Sequence, residues 1–179
     1  MSSSAGPDLH SLFQLFPPTS YLREFDVVPA EWVPEPYHKL LVHEHHMTVT
    51  VEAHHGSLVD VRVLERKRQG DSYARKILLA LKSSGKIVQF GLVRIWLNYC
   101  SPAVRDAILA EDTPLGRILI EHDVLRRIEP TEYLRVTPGP DMMQWFGLST
   151  PEVTYGRLAL IHCDGYPAVE LLEIVAPTS

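Results

Sequence analysis

A chain of 179 residues, 45% hydrophobic and 22% charged, has the size and composition of one globular domain with a real core. Its formal net charge of -5 with histidines neutral leaves no basic footprint for a nucleic acid. No apolar segment approaches a membrane span, the opening Met1-Ser2-Ser3-Ser4-Ala5-Gly6-Pro7 lacks the basic start and apolar run of a signal peptide, and Cys100 and Cys163 form no CxxC motif or disulfide framework. The expectation is a cytoplasmic protein with no membrane insertion and no nucleic-acid partner.

Residues 1 to 7 are small and polar and read as disordered. Asp8 is placed to cap a short helix through Leu9, Leu12, Phe13 and Phe16, which Pro17-Pro18 ends. Residues 19 to 36 are rich in proline and aromatics and read as an irregular wrap. The chain therefore divides into an irregular N-terminal segment with a short helix, 1–36, and a folded domain, 37–179. Pro36 to Val42 reads as a short helix. From His43 to Gly56 the β-branched residues favour a strand.

Three apolar segments follow. Leu58 to Glu65 alternates Val59, Val61 and Val63 with Asp60 and Arg62, and Arg66 to Asp71 reads as a loop. Ser72 to Leu81 and Ile87 to Leu97 flank the turn Ser83-Ser84-Gly85-Lys86. Together they make an antiparallel meander. Ser101-Pro102 opens one helix and Asp112-Thr113-Pro114 another, with Thr113 as cap and Pro114 in the first turn. Val124 to Val136 reads as one strand or two short ones, Pro138-Gly139-Pro140 breaks the chain, and Met142 to Phe146 is a short apolar turn. Val153 to Cys163 and Ala168 to Val175 are two last strands joined by Asp164-Gly165-Tyr166-Pro167. The fold class is α+β: one antiparallel sheet of about six strands with helices on one face.

Chemistry concentrates on two strands. In Tyr73-Ala74-Arg75-Lys76-Ile77-Leu78-Leu79, Arg75 shares a face with Tyr73, Ile77 and Leu79. An arginine among apolar neighbours is costly to bury without an anion, and its planar fork suits a carboxylate. The alternative is an edge arginine whose stem snorkels to water. In Glu170-Leu171-Leu172-Glu173-Ile174-Val175, Glu173 lies in a strand apolar on both faces, where burial raises a carboxyl pKa and lets it hold a proton. A structural salt bridge, with Arg75 as the natural partner, is the plainer reading. Glu170 faces the other way and reads as solvated.

Five of the nine histidines lie between His43 and His55, but there is no helical HExxH and no Cys/His pairing, so a solvated or core-edge cluster is preferred to a metal site. His162 beside Cys163 points to the opposite face of a strand, which argues against a nucleophilic cysteine. No glycine-rich phosphate loop is present.

Taken in order, Met47-Thr48, the strand with Arg75, Thr113-Pro114-Leu115-Gly116-Arg117 and Pro167-Ala168-Val169-Glu170-Leu171-Leu172-Glu173-Ile174-Val175-Ala176-Pro177 resemble the chorismate pyruvate-lyase family, whose members make 4-hydroxybenzoate. The match runs from about Leu40 to Pro177. Phe90-Gly91-Leu92-Val93-Arg94-Ile95-Trp96-Leu97-Asn98 is similar to the distant archaeal and cyanobacterial-type branch. The proline-rich N-terminal segment is longer than in the enterobacterial lyases. The resemblance implies a six-stranded antiparallel sheet with helical flaps over a buried site, and a helix starting near Met47. It implies a lyase that converts chorismate to 4-hydroxybenzoate and pyruvate with no cofactor and no metal. Arg75 would bind the ring carboxylate and Glu173 would act as general acid; Met47 and Leu115 would line the substrate site. Placing Glu173 takes one extra residue after Pro167, which leaves Glu170 as the alternative acid. Arg126 or Arg127 is the candidate for the second carboxylate. By resemblance the same fold also serves as an effector-sensing domain. That makes a non-catalytic binder of small aromatic acids the competing expectation, one that needs Arg75 but not Glu173. No helix-turn-helix pattern precedes the domain in this sequence.

Overall fold

The computed structural model describes residues 7–178. Seven strands form one fully antiparallel sheet in the order β1-β5-β6-β7-β4-β3-β2. Two three-stranded meanders make most of it. The first is β2 (Val59–Gln69), β3 (Ser72–Leu81) and β4 (Ile87–Trp96); the second is β5 (Arg126–Pro138), β6 (Thr154–Cys163) and β7 (Tyr166–Val175). They join where β4 pairs with β7, which sets Gly91 opposite Glu173 and Val93 opposite Leu171.

The seventh strand is β1 (Leu22–Val28), paired with β5 from Leu22–Pro138 to Val28–Tyr133. The expected irregular wrap over 19 to 36 is thus corrected, and residue 36 does not part the N-terminal segment from the sheet. An edge strand tolerates the charges at Arg23, Glu24 and Asp26 because one edge and much of both faces stay solvated. The same reason lets β2 run on to Gln69 through a stretch expected as loop, with Arg66 to Gln69 paired to Arg75 to Ser72. The disorder expected for residues 1 to 7 falls outside the described residues except at Pro7, which is buried.

Helices cover both faces, not one. One face carries α2 (Tyr37–Leu41), α3 (Met47–His55), α4 (Pro102–Ala110) and α5 (Leu115–Glu121), which bury Leu40, Met47, Val51, Ile108, Leu115 and Ile118 against the odd-numbered side chains of β4 and β7. The other carries α1 (Leu9–Gln14) and α6 (Pro140–Phe146), packed on Ala74, Leu78, Phe90, Leu92, Leu172 and Ile174. Asp8 does cap α1, accepting from the His10 amide at 3.2 Å.

The segment His43 to Gly56, where β-branched residues favoured strand, is helical from Met47. Met47 and Val51, one turn apart, bury together, and Gly56 closes the helix at φ 64°. Burial of that stripe outweighs a weak local preference. Thr113 does not cap α5: its hydroxyl turns to Asp112 at 3.0 Å, and Pro114 occupies the cap position. No helix among the described residues is long and apolar enough to cross a membrane.

Candidate functional site

Strand alternation places the site. On β3, Arg75, Ile77 and Leu79 point to the α3/α5 side; on β4, Gln89, Gly91 and Val93 do; on β7, Leu171, Glu173 and Val175 do. The register stacks these side chains in three rows: Arg75–Val93–Leu171, Ile77–Gly91–Glu173 and Leu79–Gln89–Val175. The starts of α3 (His46, Met47, Thr48) and α5 (Pro114, Leu115, Gly116) roof these rows. The four residues singled out in the sequence, Met47, Arg75, Leu115 and Glu173, all line this one cavity.

The roof is tightly drawn. A Cβ on Gly116 would lie 2.9 Å from Thr48 Oγ1 and 3.0 Å from His46 Cβ, so only glycine lets α5 approach α3 this closely. Arg117 on α5 is ion-paired to Glu52 on α3, and Glu52 also accepts from the Val59 amide at 2.9 Å. The enclosed volume is about 30 Å³, room for a water or two. A cavity that holds benzene is on the order of 150 Å³. A ring does not fit the cavity as it stands.

Arg75 is 0% exposed, and among the described residues none of its three guanidinium nitrogens has a hydrogen-bond partner. Burial holds its pKa below the usual arginine range, opposed by Tyr73 and Glu111 nearby. Those two are committed elsewhere: the Tyr73 hydroxyl donates to Glu111 at 2.7 Å, and Glu111 pairs with Arg66 at 2.6 Å. The snorkelling alternative fails, since the guanidinium does not reach water.

Glu173 does form a salt bridge, but not with Arg75. Its partner is Arg157 on β6, whose Nε donates to Oε2 at 2.9 Å. The remaining nitrogens of Arg157 hold the loop before α3, donating to the carbonyls of His43 at 2.9 Å, His45 at 2.8 Å and Leu41 at 3.4 Å. Burial pushes the Glu173 carboxyl above the usual range, with Arg157 pulling it back. Among the described residues, Oε1 of Glu173 has no hydrogen-bond donor.

Glu170 lies on the opposite face, as alternation requires, but it is not solvated. It pairs with Arg94 at 2.6 Å and both side chains are largely buried, so Glu170 does not reach the cavity.

Two cavity residues were missed in the sequence. Gln89 is 3% exposed, and its Oε1 has no partner among the described residues. Buried His46 lines both this cavity and a wide outer cleft of about 980 Å³ on the far side of α3. The Nε of Arg126 donates to His46 Nε2 at 2.7 Å, which fixes the neutral ring with its proton on Nδ1. Burial, then Arg126 and Arg157, lower the His46 pKa to about 4.

Arg126 and Arg127 line the outer cleft rather than the inner cavity, and Arg127 pairs with Glu129 at 3.2 Å. His43 and His45 also face that cleft, their rings stacked 5.5 Å apart. Among the described residues, no group of three or more His, Cys, Asp or Glu is gathered to hold a metal ion. Cys163 is buried, its thiol pushed up to about 12 by that burial.

No family model matches the chain, and no curated protein does. Solved structures with a related arrangement include the product of gene SA0254 from Staphylococcus aureus, at TM-score 0.48 and 10% identity over 65% of this chain and 82% of that one. A possible transcriptional regulator, YydK from Bacillus subtilis, matches at 0.45 and 9%, over 65% of this chain and 57% of that one. A GntR-family transcriptional regulator from Bacillus cereus matches at 0.42 and 14%, over 66% of this chain and 92% of that one. These are remote likenesses of fold, and the functional reading rests on the cavity.

Proposed function

We propose that this protein binds a small aromatic carboxylate in the cavity under α3 and α5, with Arg75 as the anchor for the acid group. The observation that carries the reading is Arg75 itself: a wholly buried guanidinium with no hydrogen-bond partner among the described residues. Burying such a charge is strongly unfavourable, and a carboxylate accepting two parallel N–H bonds is the group that best offsets the cost. Met47, Ile77, Val93, Leu115 and Leu171 supply apolar walls for a ring. Closure by α3 and α5 then excludes water and makes the pocket retentive. Titrating 4-hydroxybenzoate while following the melting temperature tests this. A rise that grows with ligand concentration is expected through linkage. A melting curve unmoved at saturating 4-hydroxybenzoate would remove the assignment.

A second reading, that the bound acid is turned over, is favoured by Glu173 on the same cavity wall with a raised pKa and an unengaged Oε1. The substrate would be chorismate. The bond from the ring to the ether oxygen breaks, the side chain leaves as enolpyruvate and becomes pyruvate, and the ring loses a proton as it aromatises to 4-hydroxybenzoate. Glu173 would protonate the departing oxygen, and the proton shed by the ring restores the acid. The side-chain carboxylate would point past His46 toward Arg126. Incubation with chorismate, followed by pyruvate release, separates the two readings. A lyase loses about 10²–10⁴-fold in turnover on Glu173→Gln and still binds 4-hydroxybenzoate. A binder releases no pyruvate in either form.

A further inference from the structure

We infer that Gln89 sets ligand choice in this cavity, by requiring a hydroxyl on the ring opposite the carboxylate held by Arg75. The inference rests on the reading that Arg75 anchors a carboxylate. Gln89 sits in Ile87-Val88-Gln89-Phe90-Gly91-Leu92-Val93, a stretch of β4 otherwise made of hydrocarbon and glycine. It faces the cavity between Leu79 and Val175, is 3% exposed, and its Oε1 has no hydrogen-bond donor among the described residues. A buried carbonyl oxygen without a donor is costly, and native structures rarely keep one without a use. A leucine or methionine would fill the same place at less cost.

The register says what the ligand must look like. Arg75 stands in the first row of the site and Gln89 in the third, four residues further along β4, which is roughly 13 Å of strand. Both side chains line the cavity from either side of the middle row, where Ile77 leans across Gly91: a Cβ there would lie 3.1 Å from Ile77 Cγ1. A flat ring resting on that row with its acid on Arg75 sends only its para substituent toward Gln89. A hydroxyl suits the amide in either orientation, donating to Oε1 or accepting from Nε2. Glu173 stands in that middle row with Oε2 held by Arg157 and Oε1 open, so it is the competing partner for a ring substituent, and Gln89 is the neutral one.

The test is isothermal titration of the full-length protein with benzoate, 4-methylbenzoate, 3-hydroxybenzoate and 4-hydroxybenzoate, repeated on Gln89→Leu and Gln89→Met. The wild type is expected to prefer 4-hydroxybenzoate over the other three by roughly 10- to 100-fold, the range of one or two buried hydrogen bonds. Both variants should lose that preference while benzoate affinity changes by less than about threefold, since the anchor is untouched. Ligand-free melting at or above the wild-type temperature would show that they fold and that the lone carbonyl was a burden. A 4-hydroxyl preference that survives in both variants overturns the assignment, as does a preference for 3-hydroxybenzoate. Should Glu173→Gln abolish the preference instead, the role belongs to Glu173. If benzoate itself does not bind the wild type, the anchor reading fails and this inference with it.

Discussion

Arg75 on β3 and Arg157 on β6 are equally hidden, at 0% and 1% exposed, yet their surroundings are opposite. Arg157 has a carboxylate at Nε and three backbone carbonyls on its other nitrogens, all from this chain. Arg75 has no hydrogen-bond partner on any nitrogen among the described residues. One arginine is part of the fold. It fastens the loop before α3 to the sheet and neutralises Glu173, so the roof is held by the same group that sets the charge of the wall. The other is the anchor of the proposed site, a buried charge whose cost the described residues do not offset with a hydrogen bond. Burial therefore does not identify function; burial combined with unsatisfied donors does.

The contrast predicts different responses to the same kind of substitution. Arg157→Met should be the most damaging change. It leaves Glu173 buried without its counter-ion and frees the carbonyls of His43 and His45, a loss of about 3–5 kcal/mol in urea unfolding, the usual cost of breaking a buried pair. Adding Glu173→Gln to that variant should restore part of the loss by removing the stranded charge. If the single variant unfolds at the wild-type urea midpoint, Arg157 is not the fastener described here.

Why Arg75 was legible in the sequence and Arg157 was not follows from where their partners lie. Both sit in apolar strand runs, Tyr73 to Leu79 and Gly156 to Ile161, so the same local signal marks both. What distinguishes them is contact with Leu41, His43 and His45, more than a hundred residues away in the chain, and alternation cannot report that. Gln89 shows the same limit: a polar residue in an apolar strand is visible, but not which row of the sheet it occupies. The meander, the two central helices and the face shared by Arg75, Ile77 and Leu79 follow from period-two patterning and turn chemistry, which are local. The edge strand β1 and the far end of β2 escaped notice because edge positions take polar residues and lose the contrast that marks a strand. Helix α3 was decided against its β-branched residues by the burial of Met47 and Val51.

Arg75→Met is the counterpart of the Arg157 experiment and should move stability the other way. A methionine of similar reach removes an unpaired buried charge, so the ligand-free protein should gain about 1–3 kcal/mol while binding of 4-hydroxybenzoate weakens by about 2–5 kcal/mol. Calorimetric unfolding and a binding titration on the same sample read both signs. A variant that loses stability yet keeps its ligand would make Arg75 a structural residue like Arg157 and dissolve the comparison.

The last effect concerns the neighbour that both arginine environments share. His46 roofs the cavity and accepts from Arg126 through Nε2, which it can do only while that nitrogen is unprotonated. Burial, with Arg126 and Arg157 close by, lowers its pKa from 6.5 to about 4 in the folded protein. The unfolded chain regains the ordinary value, so between these limits the native state binds fewer protons than the unfolded state, and stability rises with pH. The contribution is fully present above about pH 6.5 and is lost as pH falls toward 4, an effect on the order of 2–3 kcal/mol. His46→Gln keeps an acceptor oxygen for Arg126 but does not titrate in this range. Urea midpoints measured at pH 7, 5.5 and 4 should therefore fall more steeply in the wild type than in the variant. His43 and His55, whose pKa values burial also lowers, contribute to both curves and cancel in the difference. Parallel curves would mean that His46 is not held neutral by its surroundings, and that the roof over the inner cavity does not loosen with acid through this residue.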